Sequence, residues 1–372
     1  VIYSKKFLDE NNNDVRRIAK IPGTGAFRLK ELKEGERWIL EKNPDYYVKG
    51  LPYFDEFHIY IIGTEAQAAR AAAIYAGKVD MAMQIATDDL AEAKRRPDTF
   101  GIQYLLASGA QNIWYNAKRA PFNDVRVRRA VHLALDKDEL TMVTGQTNYV
   151  VLPYSSDWMW TASFVPGTPW ARTSEELAKV PGFRPPTAED IAEAKRLLKE
   201  AGYGEGRKME ILARGQALTF PTAVQSMLKK TLGIEATIRP TDSAVYYEEV
   251  RKGSFDLTFG FFATDLDDPS NWWTKIVIPG ASQNFGNYEN AEVTALMSKI
   301  NAELDFQKRV GLAKEMLKLL DREAPFSPSG YHAHQDVYYK YLGGPGLEPK
   351  SIIGAYNSDG RRYEHMWFEK KP

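Results

Sequence analysis

Between Thr187 and Phe262 the sequence alternates helix-type and strand-type patterns, with a stop signal at most joins. Thr187 and Asp190 stand three apart before an apolar-periodic stretch, the spacing of a reciprocal helix cap, and Gly202 ends that helix. Met209–Ala213 reads as a strand. Pro221 opens a helix that Gly233 closes. Ile234–Arg239 is a strand, Ser243–Lys252 a helix stopped by Gly253, and Phe255–Phe262 a strand. Strands joined through single helices need right-handed crossovers and a parallel sheet. The pattern predicts a doubly wound α/β lobe.

The rest of the chain is organised around that run. Arg37–Glu41 and Phe57–Ile62 read as strands. Thr64 is placed to cap a helix over Glu65–Ala76 that ends at Gly77. Val79–Met83 is a short strand, Thr87 caps a helix ending before Pro97, and Gln111–Asn116 is another strand. After a break at Lys118–Asn123, Asp124 caps a helix with Val127, Val131 and Leu135 spaced by four. Residues 145–187 form a long irregular excursion rich in Pro, Gly, Ser, Thr and Trp, a length that often carries function. Two helices, over Ala291–Glu303 and Phe306–Leu320, precede an extended stretch from Pro325 to Tyr341 and a loop-rich tail.

A chain of 372 residues exceeds one ordinary core and points to two domains. Lys+Arg and Asp+Glu are both 49, so no global field favours nucleic acid or an anionic membrane, and nucleic-acid binding is not expected. The absence of cysteine removes disulfides, thiol catalysis and Cys-ligated metals from this stretch of sequence. No run of about 18 apolar residues offers a transmembrane helix, and Val1–Lys6 has no apolar leader core.

Ligands of open α/β sheets lie beyond the carboxyl ends of the strands. Those ends are followed here by Arg214-Gly215-Gln216, by Pro240-Thr241-Asp242, and by Ala263-Thr264-Asp265-Leu266-Asp267-Asp268-Pro269 with Trp272-Trp273 behind. A carboxylate such as Asp265 can pair with a ligand amine or accept hydroxyl hydrogen bonds, and an indole beside it supplies a wall. Asp268 before Pro269 reads as a helix cap. Trp272 and Trp273 are adjacent, so one is expected in the core and the other in the cleft. Arg214, Gln216 and Asp242 are secondary candidates. Tyr154, Trp158 and Trp160, in the excursion, could form a lid or pack in a core.

At these residues the sequence resembles the family 5 bacterial extracellular solute-binding proteins, of oligopeptide-, dipeptide- and nickel-binding type. Ile21–Leu29 looks like the family's glycine turn. Asn43–Tyr47, Pro52–Glu56 and Ala76–Asp80 follow in the family's order, then Tyr115-Asn116 with Pro121–Arg128, Gly253–Leu257, and Asn287-Tyr288 with Glu292-Val293. The resemblance implies a two-lobed periplasmic-binding-protein-like fold (type II, cluster C) that closes on a ligand by a hinge. Residues 1–115 would be part of lobe one, 116–328 lobe two, and 329–372 a return to lobe one. It implies an exported, non-enzymatic capture component of an ABC importer, without cofactor, at the periplasmic or outer face of the membrane. Its partners would be a small molecule or short peptide and a membrane permease, the protein otherwise being a monomer. Asp265 sits where amine-binding members carry an aspartate. Family members have well over a hundred residues before the glycine turn, so lobe one is expected to be incomplete here. A preceding segment or second chain would complete it, and would hold the export signal and any lipid-anchor cysteine.

Three other readings compete. His332-Ala333-His334 with Asp336 could make a metal triplet, but an ordinary strand is the simpler account. Paired acids such as Asp265 with Asp267 could serve a hydrolase acting on oligosaccharide or peptide. Glu248 and Glu249 are adjacent on a helix and point apart. No nucleophile elbow and no P-loop occur. A peptide-binding chaperone or sensor on the same fold stays open, because fold does not decide function.

Overall fold

The run from Thr187 to Ala263 builds a sheet whose centre is β6 (Lys208–Arg214). The computed structural model describes residues 5–12, 22–62, 67–140, 168–204, 206–215, 218–263, 268–345, 347 and 362–369. Here β6 pairs in parallel with β7 (Glu235–Thr241) on one side and with β8 (Leu257–Ala263) on the other. The chain therefore leaves β6 for β7 and returns across it to β8. That reversal is a topological switch point, between the carboxyl ends of β6 and β8.

Local signals set the helices. α6 (Ala188–Glu200) begins with the predicted capping box: Asp190 N–H donates to Thr187 Oγ1 at 3.2 Å and Thr187 N–H to Asp190 Oδ2 at 2.8 Å. α7 (Thr219–Leu232) and α8 (Ser243–Lys252) end at Gly233 and Gly253, both at φ of +68°, where a side chain would strain the backbone. Alternation along the strands covers both faces. Met209 and Ile211 pack with Val224, Met227 and Leu228 of α7, whereas Leu212 packs with Tyr246 and Val250 of α8. The expected doubly wound lobe is present.

The sheet is not wholly parallel. β5 (Phe100–Tyr115) lies antiparallel beside β8, with Tyr115 opposite Leu257, and β9 (Phe326–Tyr339) lies beyond it. α4 (Val125–Ala134), capped by Asp124, covers one face with α6 and α7. α9 (Pro269–Ile276), α10 (Ala291–Ala302) and α11 (Phe306–Glu323) build a second core with Trp114 and Phe326. The short α5 (Ser174–Leu177) lies near the end of the excursion. Residues 141–167 are outside the described residues.

The chain divides into two units between Leu105 and Leu106 and between His334 and Gln335. The sequence reading puts those crossings at 115/116 and 328/329. Both crossings fall inside the long strands β5 and β9, which run on without a loop, whereas the sequence reading looked for breaks, near Pro121 and Pro328. Phe100–Ala110 escapes a strand reading because its pattern does not alternate cleanly.

The first unit holds α1 (Lys5–Glu10) and an antiparallel meander, β1 (Phe27–Lys33), β2 (Arg37–Lys42) and β3 (Glu56–Tyr60). None of the meander's strand residues is fully buried, and the cross-strand partners Leu32 and Trp38 are 46% and 44% exposed. A separate core gathers α2 (Gln67–Tyr75), β4 (Met81–Ile85), α3 (Ala91–Arg95), Phe100 and Val337. Residues 63–66, including Thr64, are outside the described residues. Thr87 does not precede a helix as its cap: it is the first residue of a 3₁₀ turn leading into α3. β10 (Leu342–Gly343) pairs with β11 (Trp367–Phe368).

Candidate functional site

Sheet order, which the sequence did not contain, ranks the strand ends. Arg214 closes β6 and Ala263 closes β8, so these two flank the switch point. Thr241 and Asp242 follow β7, on the far side of β6. Asp242 is the N-cap of α8, its Oδ1 accepting the Ala244 and Val245 N–H groups at 2.9 and 3.0 Å. That bonding accounts for Asp242 as a structural carboxylate.

Arg214 is exposed. Its Nη1 donates to the Tyr247 hydroxyl at 2.8 Å, and its guanidinium carbon lies 5.9 Å from the Tyr247 ring centroid. Among the described residues no carboxylate pairs with it. A planar cation with open donors, steadied by a phenol, suits a ligand carboxylate or another anion. The sequence reading missed Tyr247. The available signal was its place one turn inside α8, within reach of the preceding strand's end.

Tyr246, next to it, turns inward. Its hydroxyl donates to the Phe259 carbonyl and accepts from Thr258 Oγ1 at 3.1 Å, and burial pushes its pKa up to about 12. The pair shows how helix phase sends one phenol to the core and its neighbour to the rim.

Asp265 and Gln216, the expected carboxylate and amide of the site, lie outside the described residues, as do Tyr154, Trp158 and Trp160. The side chains of His332 and His334 do too. Asp336 is buried and accepts the Gln84 N–H at 2.8 Å. Among the described residues no group of three metal-ligating side chains occurs.

Trp272 and Trp273 are both fully buried, at 1% and 0% exposure, in the core of α9, α10 and α11. The expectation that one of them faces outward is therefore corrected. α9 is short and covered on two sides, by α10 and by the strand residues Trp114 and Phe326, so adjacent positions both find apolar neighbours.

Asp268 does cap α9, as expected, accepting the Ser270 N–H at 2.8 Å. It also receives a two-pronged pair from Arg309 of α11, both bonds at 2.7 Å. Burial works against its charge, but the Arg309 hydrogen bonds and the Ser270 N–H outweigh it and hold the carboxyl below its usual range. The end of the segment that follows β8 is thus firmly held.

Residues 2–284 match the model of the bacterial extracellular solute-binding proteins, family 5 (middle region). The periplasmic oligopeptide-binding protein OppA of Salmonella typhimurium is 25% identical over 346 residues, covering 91% of this chain and 61% of the relative. A probable deoxycholate-binding periplasmic protein, YgiS of Escherichia coli, is 28% identical, covering 86% and 57%. The chain thus spans about three-fifths of the length of these relatives. Among solved structures, the fold is similar to DppA of Helicobacter pylori in complex with the peptide STSA (TM-score 0.77, 22% identity, covering 99% of this chain and 68% of that one). It is also similar to AgaA of A. tumefaciens R10 in complex with agropinic acid (TM-score 0.76, 19% identity, covering 100% and 72%). At these identities the two structures speak for the fold alone.

Proposed function

The chain belongs to the bacterial extracellular solute-binding proteins of family 5, and from that premise we propose that it captures a peptide-like or other small polar solute for an ABC importer. The carrying observation is the switch point itself. Arg214 and Ala263, after which the sequence turns acidic, stand at adjacent strand ends, and among the described residues no carboxylate pairs with the guanidinium. An aspartate at 265 and an arginine at 214 would together suit a zwitterion, with the amine on the carboxylate and the acid group on the guanidinium. A peptide, the ligand bound in one similar structure, offers such groups.

The protein would work outside the cytoplasmic membrane, by binding and release without turnover, and deliver its solute to a membrane permease. Ligand would shift the population towards a closed state, the two long strands β5 and β9 carrying the chain between the units. Native mass spectrometry of the full-length protein as purified is the direct test. A retained small solute with a one-to-one mass shift supports capture. Multiple turnovers of short peptides or oligosaccharides by the same preparation would replace this reading with the hydrolase.

A further inference from the structure

Arg309 makes contacts to three separate parts of the chain. Its Nη1 and Nη2 donate to the two oxygens of Asp268 at 2.7 Å each, and Nη2 also donates to Ser270 Oγ at 2.6 Å. Its Nε donates to the Ile300 carbonyl, near the end of α10, at 3.1 Å. Its guanidinium carbon lies 5.6 Å from the ring centroid of Trp170, which is itself 5% exposed and edge-on to Phe306 at 5.3 Å. One planar cation therefore meets the first described residue after 264–267 and the third described residue after 141–167.

Each contact is of a kind that fixes direction as well as distance. The forked pair with Asp268 allows one orientation of the carboxylate, and that carboxylate is already committed as the cap of α9. The ring of Trp170 is attracted to the face of the same guanidinium. About three turns further along α11, Asp321 pairs with Arg172, whose Nη1 donates to Oδ1 at 3.0 Å. The stretch that leaves the excursion is thus seated on α11 twice.

The geometry points to Arg309 as a positioning residue that fixes, together, where the chain re-enters helix after β8 and where it leaves the excursion. This rests on the proposed function in one respect only: that 264–267, through Asp265, faces ligand. Arg309 touches no ligand in this account. It sets where the segment after β8 re-enters helix, and ties that point to the end of the excursion.

The test is hydrogen–deuterium exchange on the full-length protein, comparing Arg309→Met and Arg309→Lys with the parent. Arg309→Met is expected to speed exchange at least tenfold in two windows, 168–177 and 268–276, and to leave the β6–β7 amides unchanged. Arg309→Lys is expected to restore 168–177 more than 268–276. An ammonium can lie over the Trp170 ring, but it does not span both Asp268 oxygens and Ser270. A response confined to one window, an equal response in β6–β7, or a lysine variant no different from methionine overturns the proposal. If the methionine variant does not fold, the unequal rescue by lysine decides alone. Affinity for trialanine, measured on Asp265→Ala in parallel, keeps the two claims apart. Unchanged affinity there removes the ligand reading of 264–267 and leaves the exchange result for Arg309 standing.

Discussion

His132 Nδ1 lies 2.7 Å from Ser327 Oγ, and that hydroxyl lies 2.5 Å from the Tyr115 hydroxyl. The three residues belong to α4, β9 and β5, and all are buried. A chain of polar contacts therefore joins a helix to both strands that run between the units. Gly182, at φ of +85°, allows the imidazole its place: a Cβ there would lie 2.2 Å from His132 Nε2.

This arrangement makes stability depend on pH. Burial first, then the charges of Lys137, Arg172 and Arg129, hold the His132 imidazole well below its ordinary range. The unfolded chain binds a proton near pH 6.5 where the folded chain does not. The contribution is full above that pH and falls as pH drops, by about 1.4 kcal/mol per pH unit for one proton. Burial also lowers Lys137 to about 7 from 10.5, so its contribution already declines as pH falls between those values. Urea midpoints are expected to fall from pH 7.5 to 5.5, and His132→Gln to flatten the decline below 6.5. Equal slopes in parent and variant would remove His132 from this account.

Thr187→Ala removes one of the two reciprocal bonds that start α6, leaving the Asp190 N–H without its acceptor. A loss of about 1 kcal/mol is expected in equilibrium denaturation, with the slope against denaturant unchanged.

Trp273→Ala separates a core role from a cleft role. A fully buried indole among α9, α10 and α11 should cost about 3–5 kcal/mol on removal, enough to threaten folding. A variant as stable as its parent but weak in ligand binding would return this indole to the site.

For the ligand, Asp265→Ala and Arg214→Ala are each expected to weaken trialanine binding at least tenfold, about 1.4 kcal/mol. N-acetyl-trialanine should be sensitive to Arg214→Ala and indifferent to Asp265→Ala, because it lacks the amine. Calorimetry reads both. Changes within about twofold would remove the assignment.

Closure is tested by scattering. The radius of gyration of the full-length protein should fall when saturating ligand is added, and unchanged dimensions would argue against a closing cycle.

What the sequence determined was local. The capping box at Thr187 and Asp190, the caps at Asp124 and Asp268, and the stops at Gly233 and Gly253 all depend on neighbours within a few residues. The alternation along β6 and the family's ordered motifs were legible for the same reason. Tertiary structure decided everything that needs two distant segments to meet. Strand order put β6 between β7 and β8, and so raised Arg214 above Asp242 as a site residue. The burial of both Trp272 and Trp273 depends on helices that follow α9 in the chain. Arg309 stands 41 residues from Asp268, and no pattern within one helix announces a partner that far away. Capping and periodicity are short-range physics written in adjacent residues. Side-chain pairing across a core depends on which surfaces the whole chain brings together.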